Sequence, residues 1–262
     1  MVKGLPVFKK HFEKYQDHYV LIGGSACDIQ MEAAGLPFRV TKDFDMVLCV
    51  EVLGKNFVSA FWKFVEEGGY QQREKSDGKK EFFRFLKPAN EAYPAQLELF
   101  SRAFDKLPVA KGVHLTPVPV GDEADSLSAI LLDDNYYDCL KSGAVVIEGI
   151  RVLKPEYLLV FKAKACVDLM ERKAKHEAVN AKDIQKHRLD VFRLFQLLSP
   201  ELEVRLPENV KKDMEDFFQL MMKDLPDLKT IGIKTMSAKE VVAMIVKIYG
   251  LNVAIIAEAG KK

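Results

Sequence analysis

Two aspartates stand two residues apart in the segment Thr41-Lys42-Asp43-Phe44-Asp45, at the start of an apolar run. Residues two apart on a strand face the same side, so both carboxylates are expected on one face and Phe44 on the other, toward the core. Carboxylates placed side by side repel each other unless water or a cation neutralises them. Hard oxygen ligands suit Mg²⁺ or Mn²⁺, so the pair predicts a divalent-cation site. A solvated pair at a strand end is the alternative.

A third carboxylate, Glu98, lies within the apolar segment 96–100, which alternates like a strand. A carboxylate inside so apolar a strand needs a partner, because burying an unpaired charge is costly. A cation shared with the two aspartates would be one such partner. An ion pair with Arg84 or Lys80 on a neighbouring strand is the alternative.

Upstream of the carboxylates, Gly23-Gly24-Ser25 joins an apolar run to a helix-like segment. Glycines let the backbone approach a phosphate closely, and a helix N-terminus offers free N–H groups and a positive dipole end. Ser25 could donate a hydrogen bond to a phosphate oxygen or cap the helix. The segment is neither a P-loop nor a Rossmann fingerprint, and a plain turn is the alternative. Combined with three later carboxylates, it predicts a site for a triphosphate and one or two metal ions.

The hydrophobic pattern predicts the elements that position these residues. Strands are expected at 18–22, 44–52, 80–87 and 94–102, with a hairpin at 145–153 that turns at Glu148-Gly149. Helices are expected at 5–17, 25–35, 56–70, 154–173, 182–198, 208–225 and 237–250. Residues 113–120 contain two prolines and indicate an edge strand or a loop. The pattern therefore predicts an α/β domain at 1–153 and a helical domain at 154–262.

Composition restricts the class of protein. The formal net charge of +1 argues against a DNA-coating protein, although the stretch 162–193 is rich in lysine and arginine and weakly favours a phosphate-bearing acceptor. The four cysteines form no Cys-x-x-Cys pair and are expected to be buried free thiols rather than a zinc site. No apolar run approaches the length of a membrane helix, so we expect a cytoplasmic protein without a membrane partner.

These motifs together resemble the nucleotidyltransferase-fold superfamily. In that superfamily a Gly-Gly or Gly-Ser turn precedes an Asp-x-Asp/Glu strand, and a third acidic residue follows. The spacing from Ser25 to Asp43 is wider than in its minimal members. In this respect the chain resembles the AbiEii-type branch, the toxin partner of abortive-infection toxin–antitoxin pairs, which carries a Thr/Ser-x-Asp-x-Asp segment.

The helical half carries two further motifs of that branch, so the resemblance spans about residues 19–198. The segment 155–158 reads Pro-Glu-Tyr-Leu and leads to Lys162, as in the branch's Pro-Glu-x-Leu motif. A Lys-Asp-x-x-Asp-like motif corresponds to Lys186 and Asp190, with His187 where aspartate is common. Lys186 and Asp190 share a helix face, and a surface ion pair is the alternative for them. His187 is expected at the surface or as a capping residue.

The resemblance implies an α+β fold with a polymerase-beta-like mixed sheet, flanking helices and a C-terminal helical region. It implies transfer of a nucleoside monophosphate from a nucleoside triphosphate such as ATP to a hydroxyl of tRNA, a protein or a small molecule. A cognate antitoxin is an implied partner. A non-catalytic nucleotide-binding or protein-interaction module on the same fold is the alternative.

The resemblance also assigns roles to individual residues. The catalytic residues and ligands of Mg²⁺ or Mn²⁺ would be Asp43, Asp45 and Glu98. The residues that bind the nucleotide would be Gly23, Gly24, Ser25, Lys42, Lys162, Lys186 and Asp190.

Overall fold

The computed structural model describes residues 2–49, 51–52, 54–74, 82–100, 116–117, 130–131 and 133–254. The chain divides into two compact units, Met1–Leu158 and Leu159–Lys262. The domain boundary expected between residues 153 and 154 stays a prediction.

A mixed sheet with flanking helices forms the first unit, so the predicted fold class is confirmed. Its strands are β1 (Tyr19–Ile22), β2 (Asp43–Leu48), β3 (Gln71–Glu74), β4 (Phe82–Leu86), β5 (Gln96–Phe100), β6 (Thr116–Pro117), β7 (Ala144–Ile147) and β8 (Ile150–Leu153). Within the described ranges these strands form one sheet in the order β6-β3-β4-β5-β2-β1-β8-β7. Strand β2 lies inside the sheet, antiparallel to β1 and parallel to β5.

Four helices of the first unit lie within its described residues. They are α1 (Leu5–Phe12), followed by a 3-10 turn at Glu13–His18, α2 (Gly23–Ala33), α3 (Lys55–Gly68) and α4 (Asp134–Ser142). Helix α3 ends at Gly68, and Gly69 caps it in the left-handed conformation at φ 60°.

An aromatic layer from α1 and α3 packs on one face of the sheet. Phe8 lies 5.3 Å from Phe44 between ring centroids, and Phe61 lies 5.6 Å from Phe85. These rings are fully buried, so the aromatic layer anchors β2 through Phe44. Side chains alternate along a strand, so the neighbours of Phe44 in β2 project from the opposite face.

Several local predictions are tested by backbone geometry. The hairpin β7–β8 turns at Glu148 and Gly149, whose φ values of 48° and 86° are both positive, as a two-residue turn of this type requires. Helix α2 begins at Gly23, and no side chain caps it, so the expectation that Ser25 caps this helix is wrong. Gly35 follows its last turn at φ 69°, the left-handed conformation that commonly ends a helix.

Helices form the second unit. They are α5 (Pro155–Ala174), whose first residues belong to the first unit, α6 (Ala181–Phe195), α7 (Glu208–Met221), a 3-10 turn at Leu228–Ile231, and α8 (Ala238–Tyr249). Ser237 and Glu240 form a reciprocal capping box at the start of α8. Among the described residues, no helix is long and apolar enough to cross a membrane.

Candidate carboxylate site

The register between β2 and β5 brings the three predicted carboxylates onto one face of the sheet. Asp45 is the Cα partner of Glu98, and Asp43 is the partner of Gln96. Partners in a parallel pair project to the same side, and Asp43 lies two residues before Asp45. Glu98 is 6% exposed, whereas Asp43 and Asp45 are half-buried at the entry to the strand. The three carboxylates therefore lie on the face opposite the aromatic layer.

Glu98 is held by two neighbours on the same face. Gln96 Nε2 donates a hydrogen bond of 2.7 Å to Glu98 Oε1. Arg84, its register partner on β4, places Nε 2.7 Å from the same oxygen. The ion pair with Arg84, one of the two alternatives read from the sequence, is therefore present. Lys80, named with it, lies outside the described residues.

The glycine turn lies directly against Asp45. Gly23 has φ +68°, and a Cβ at that position would overlap Asp45 Oδ2. A Cβ on Gly24 would lie 2.6 Å from Thr41 Oγ1. The N-terminus of α2 is thus packed on the Asp-x-Asp segment without any intervening side chain. This close approach is possible only because both residues lack a Cβ.

Ser25 lies in the first turn of α2 and is fully buried. Its Oγ has no hydrogen-bond partner within the part of the chain that the structure describes. Burying a hydroxyl without a hydrogen-bond partner costs free energy, and a bound oxygen of a ligand would offset that cost.

Arg39 is a residue that the sequence analysis missed. Its Nη2 would lie 3.5 Å from a Cβ on Gly24, so a guanidinium stands beside the first turn of α2. The only available signal was a basic residue four positions before Asp43, which is too common to single out.

The residue types and their shared face fit a divalent cation. Carboxylate oxygens are the preferred ligands of Mg²⁺ and Mn²⁺, and the backbone of Gly23 lies directly against the Asp45 carboxylate. As positioned, however, no group of three or more His, Cys, Asp or Glu side chains in the described ranges could hold a metal ion. Glu98, which contacts Arg84, would have to rotate toward the aspartates to complete the set.

The nucleotide-binding residues predicted in the second unit form ion pairs within that unit. Lys162 Nζ lies 3.4 Å from Asp190 Oδ2, and Arg193 Nη1 lies 3.1 Å from Asp190 Oδ1. Both Lys162 and Asp190 are buried. Lys186 Nζ lies 3.3 Å from Asp183 Oδ1. The structure thus pairs Asp190 with Lys162 and Arg193.

His187 and Lys42, both singled out from the sequence, have opposite exposures in the structure. His187 is 4% exposed, so the expectation of a surface or capping histidine is wrong; it lies on the buried face of α6. Lys42 is exposed, between Thr41 and Asp43. Its predicted contact with a nucleotide stays a prediction.

The cysteines are all buried free thiols, as predicted. Burial raises the pKa of Cys49 and Cys139 to about 11 and that of Cys166 to about 12. Because the thiolate is the reactive form, these three cysteines are poor nucleophiles at neutral pH.

No protein-family model matches the chain, and no curated protein matches it. Among solved structures, the chain is similar to the crystal structure of an antigenic nucleotidyltransferase-like protein from Paracoccidioides brasiliensis. That similarity has a TM-score of 0.47 at 15% identity, and it covers 87% of this chain and 91% of the other. Function is therefore inferred from the residues of this chain.

Proposed function

We propose that this chain is a metal-dependent nucleotidyltransferase. It moves a nucleoside monophosphate from a nucleoside triphosphate to an acceptor hydroxyl, and the bond between the α- and β-phosphates breaks to release pyrophosphate. One observation carries the proposal: the N-terminus of α2 is packed on Asp45, which is in register with Glu98. The positive end of a helix and a set of carboxylates attract ligands of opposite charge. The helix end attracts a phosphate, and the carboxylates attract the cation that a triphosphate brings with it.

The residues of the chain have separate roles in this proposal. The Gly24 amide and the Ser25 hydroxyl bind a phosphate oxygen at the start of α2, which orients the triphosphate. Asp43 and Asp45 would hold the cation, together with Glu98 once it turns away from Arg84. Glu98 also accepts the proton of the acceptor hydroxyl, provided that the hydroxyl comes within hydrogen-bond reach. When bound, Mg²⁺ or Mn²⁺ supplies positive charge against the phosphate oxygens and lowers the pKa of the acceptor hydroxyl.

The finer assignments rest on the sequence resemblance. The AbiEii-like subtype, the toxin role and the cognate antitoxin depend on the motifs in residues 19–198. The choice of ATP, the tRNA, protein or small-molecule acceptor, and nucleotide binding by Lys162, Lys186 and Asp190 stay predictions. Each of them presupposes that the first unit binds a triphosphate, so this binding is tested first.

Calorimetric titration of ATP, GTP, CTP and UTP tests the proposal, each with and without Mg²⁺. We expect one or more triphosphates to bind in a Mg²⁺-dependent manner. The double variant Asp43→Asn/Asp45→Asn should lose this binding, because the two carboxylates at the start of β2, one of them beside the α2 N-terminus, are neutralised. A folded wild-type chain that binds no triphosphate would favour the non-catalytic module instead. The ion pair with Arg84 is compatible with that alternative, because it neutralises Glu98 without a metal ion.

Replacing Ser25 with alanine should weaken triphosphate binding and leave the stability of the fold nearly unchanged. The buried Oγ lacks a partner among the described residues, so its loss should change the free energy of unfolding by less than about 0.5 kcal/mol. A hydrogen bond to a charged phosphate is worth more, so affinity for the triphosphate should fall about tenfold. Urea unfolding and calorimetry measure the two quantities. Ser59→Ala, at an exposed position on α3, is the control and should change neither.

A further inference from the structure

Arg84 contacts Glu98, which is one of the three carboxylates of the candidate metal site. Its Nε lies 2.7 Å from Glu98 Oε1, and the two side chains are only 19% and 7% exposed. Water screens a pair buried to this extent less than it screens an exposed pair, so the guanidinium neutralises Glu98 effectively. Gln96 contacts the same oxygen. Glu98 is therefore engaged at Oε1 from its own strand and from β4.

Asp45 faces Glu98 from the other side, on β2. The Glu98 carboxylate thus stands between a fixed guanidinium on β4 and the aspartates on β2, because β5 lies between these two strands. With Oε1 held by Arg84 and Gln96, the Glu98 carboxylate is not placed to complete a ligand set with Asp45. This geometry agrees with the finding that the described residues hold no ready-made group of three metal ligands.

We infer that Arg84 and a divalent cation compete for the Glu98 carboxylate, so that Arg84 is a positioning residue that sets the affinity of the site for metal. This inference rests on the proposed function. A metal that arrives with a triphosphate brings extra contacts at the start of α2, and it displaces Arg84 more readily than free metal does. The released guanidinium then stands next to the triphosphate as an additional positive charge.

Mn²⁺ binding, measured by electron paramagnetic resonance without nucleotide, tests the inference. Arg84→Gln removes the competitor, so Mn²⁺ affinity should rise about fivefold or more. Arg84→Lys keeps the positive charge and should stay near wild type. Arg151→Gln is the matched control, because Arg151 lies in β8 of the same sheet with a side chain that is 21% exposed and pairs with Asp17. It should leave Mn²⁺ affinity unchanged.

A second measurement works even if Arg84→Gln fails to fold. The Nε signal of Arg84 is assigned in the wild-type NMR spectrum by its loss in Arg84→Lys. Its chemical shift should change on saturation with Mg²⁺, because the cation and the guanidinium contact the same carboxylate and their coupling is reciprocal.

The outcomes separate this inference from the proposed function. If Mn²⁺ binds neither the wild type nor Arg84→Gln, or still binds Asp43→Asn/Asp45→Asn, the competition is overturned. The proposed function is overturned as well if no triphosphate binds the wild type in the presence of Mg²⁺. If Mn²⁺ binds through the aspartates but Arg84→Gln leaves its affinity unchanged or lowers it, only the competition is overturned. In that case Arg84 merely stabilises Glu98. An Arg84 Nε chemical shift that is unchanged at saturating Mg²⁺ would likewise overturn the competition alone.

Discussion

Replacing Asp45 with asparagine is expected to abolish nucleotidyl transfer while the fold is retained. Asp45 faces both the α2 N-terminus and Glu98, so its charge is central to the proposed cation site. Loss of a ligand at such a centre should lower turnover on the order of 10³-fold. The free energy of unfolding should stay constant or rise slightly, because the variant relieves repulsion between neighbouring carboxylates.

Pyrophosphate release and urea unfolding, measured on the same preparation, give the two quantities. Asp17→Asn is the control, since Asp17 is an aspartate of the same unit with a side chain that is 90% exposed. It should leave both quantities unchanged. Full turnover in Asp45→Asn would contradict the assignment of this residue, and a marked loss of stability would show that Asp45 serves the fold instead.

The sequence predicts the site well where the alternation of side chains along a single strand is enough to place them. Alternation in residues 43–48 places Phe44 among buried aromatic rings and both aspartates on the other face, as the structure shows. The same argument applies to residues 96–100, where Glu98 and Gln96 share a face and are joined by a hydrogen bond. Pairing between β2 and β5 joins strands that are distant in the sequence, so the periodicity of either segment alone does not predict it.

Features that depend on tertiary contacts were missed or misjudged. Strand β3 was not predicted, because its sequence Gln71–Glu74 is polar, and pairing with β4 and β6 rather than apolar alternation defines it. Ser25 was expected as a helix cap, but α2 already begins at Gly23, whose positive φ lets the helix start against Asp45. A pattern that marks a helix start does not show which backbone conformation precedes it.

The second unit shows the same limit. The spacing of Lys186 and Asp190 correctly indicates one helix, since both lie in α6. Burial of His187 and Asp190 could not be read from that spacing, because it depends on which face of α6 is covered. Asp190 forms ion pairs with Lys162 and Arg193. These pairs are expected because a buried carboxylate is stable only when nearby positive charges compensate its own charge.

Replacing Gly23 with alanine should damage both stability and the site. An L-residue at φ +68° is strained by about 1–2 kcal/mol. The added Cβ would also overlap Asp45 Oδ2, so the carboxylate must move or α2 must shift, at a further cost of about 2 kcal/mol. Because either movement separates the helix N-terminus from Asp45, Mg²⁺-dependent triphosphate binding should be lost as well.

Gly35→Ala isolates the backbone part of this effect. Gly35 follows the same helix at φ +69°, but nothing lies within 4 Å of the position of its Cβ. This variant should therefore show the conformational strain alone, with triphosphate binding intact. Urea unfolding and calorimetry of both variants give the comparison. Equal stability losses would mean that the contact between Gly23 and Asp45 is easily relieved. Preserved binding in Gly23→Ala would mean that the site does not depend on the close approach of α2 to β2.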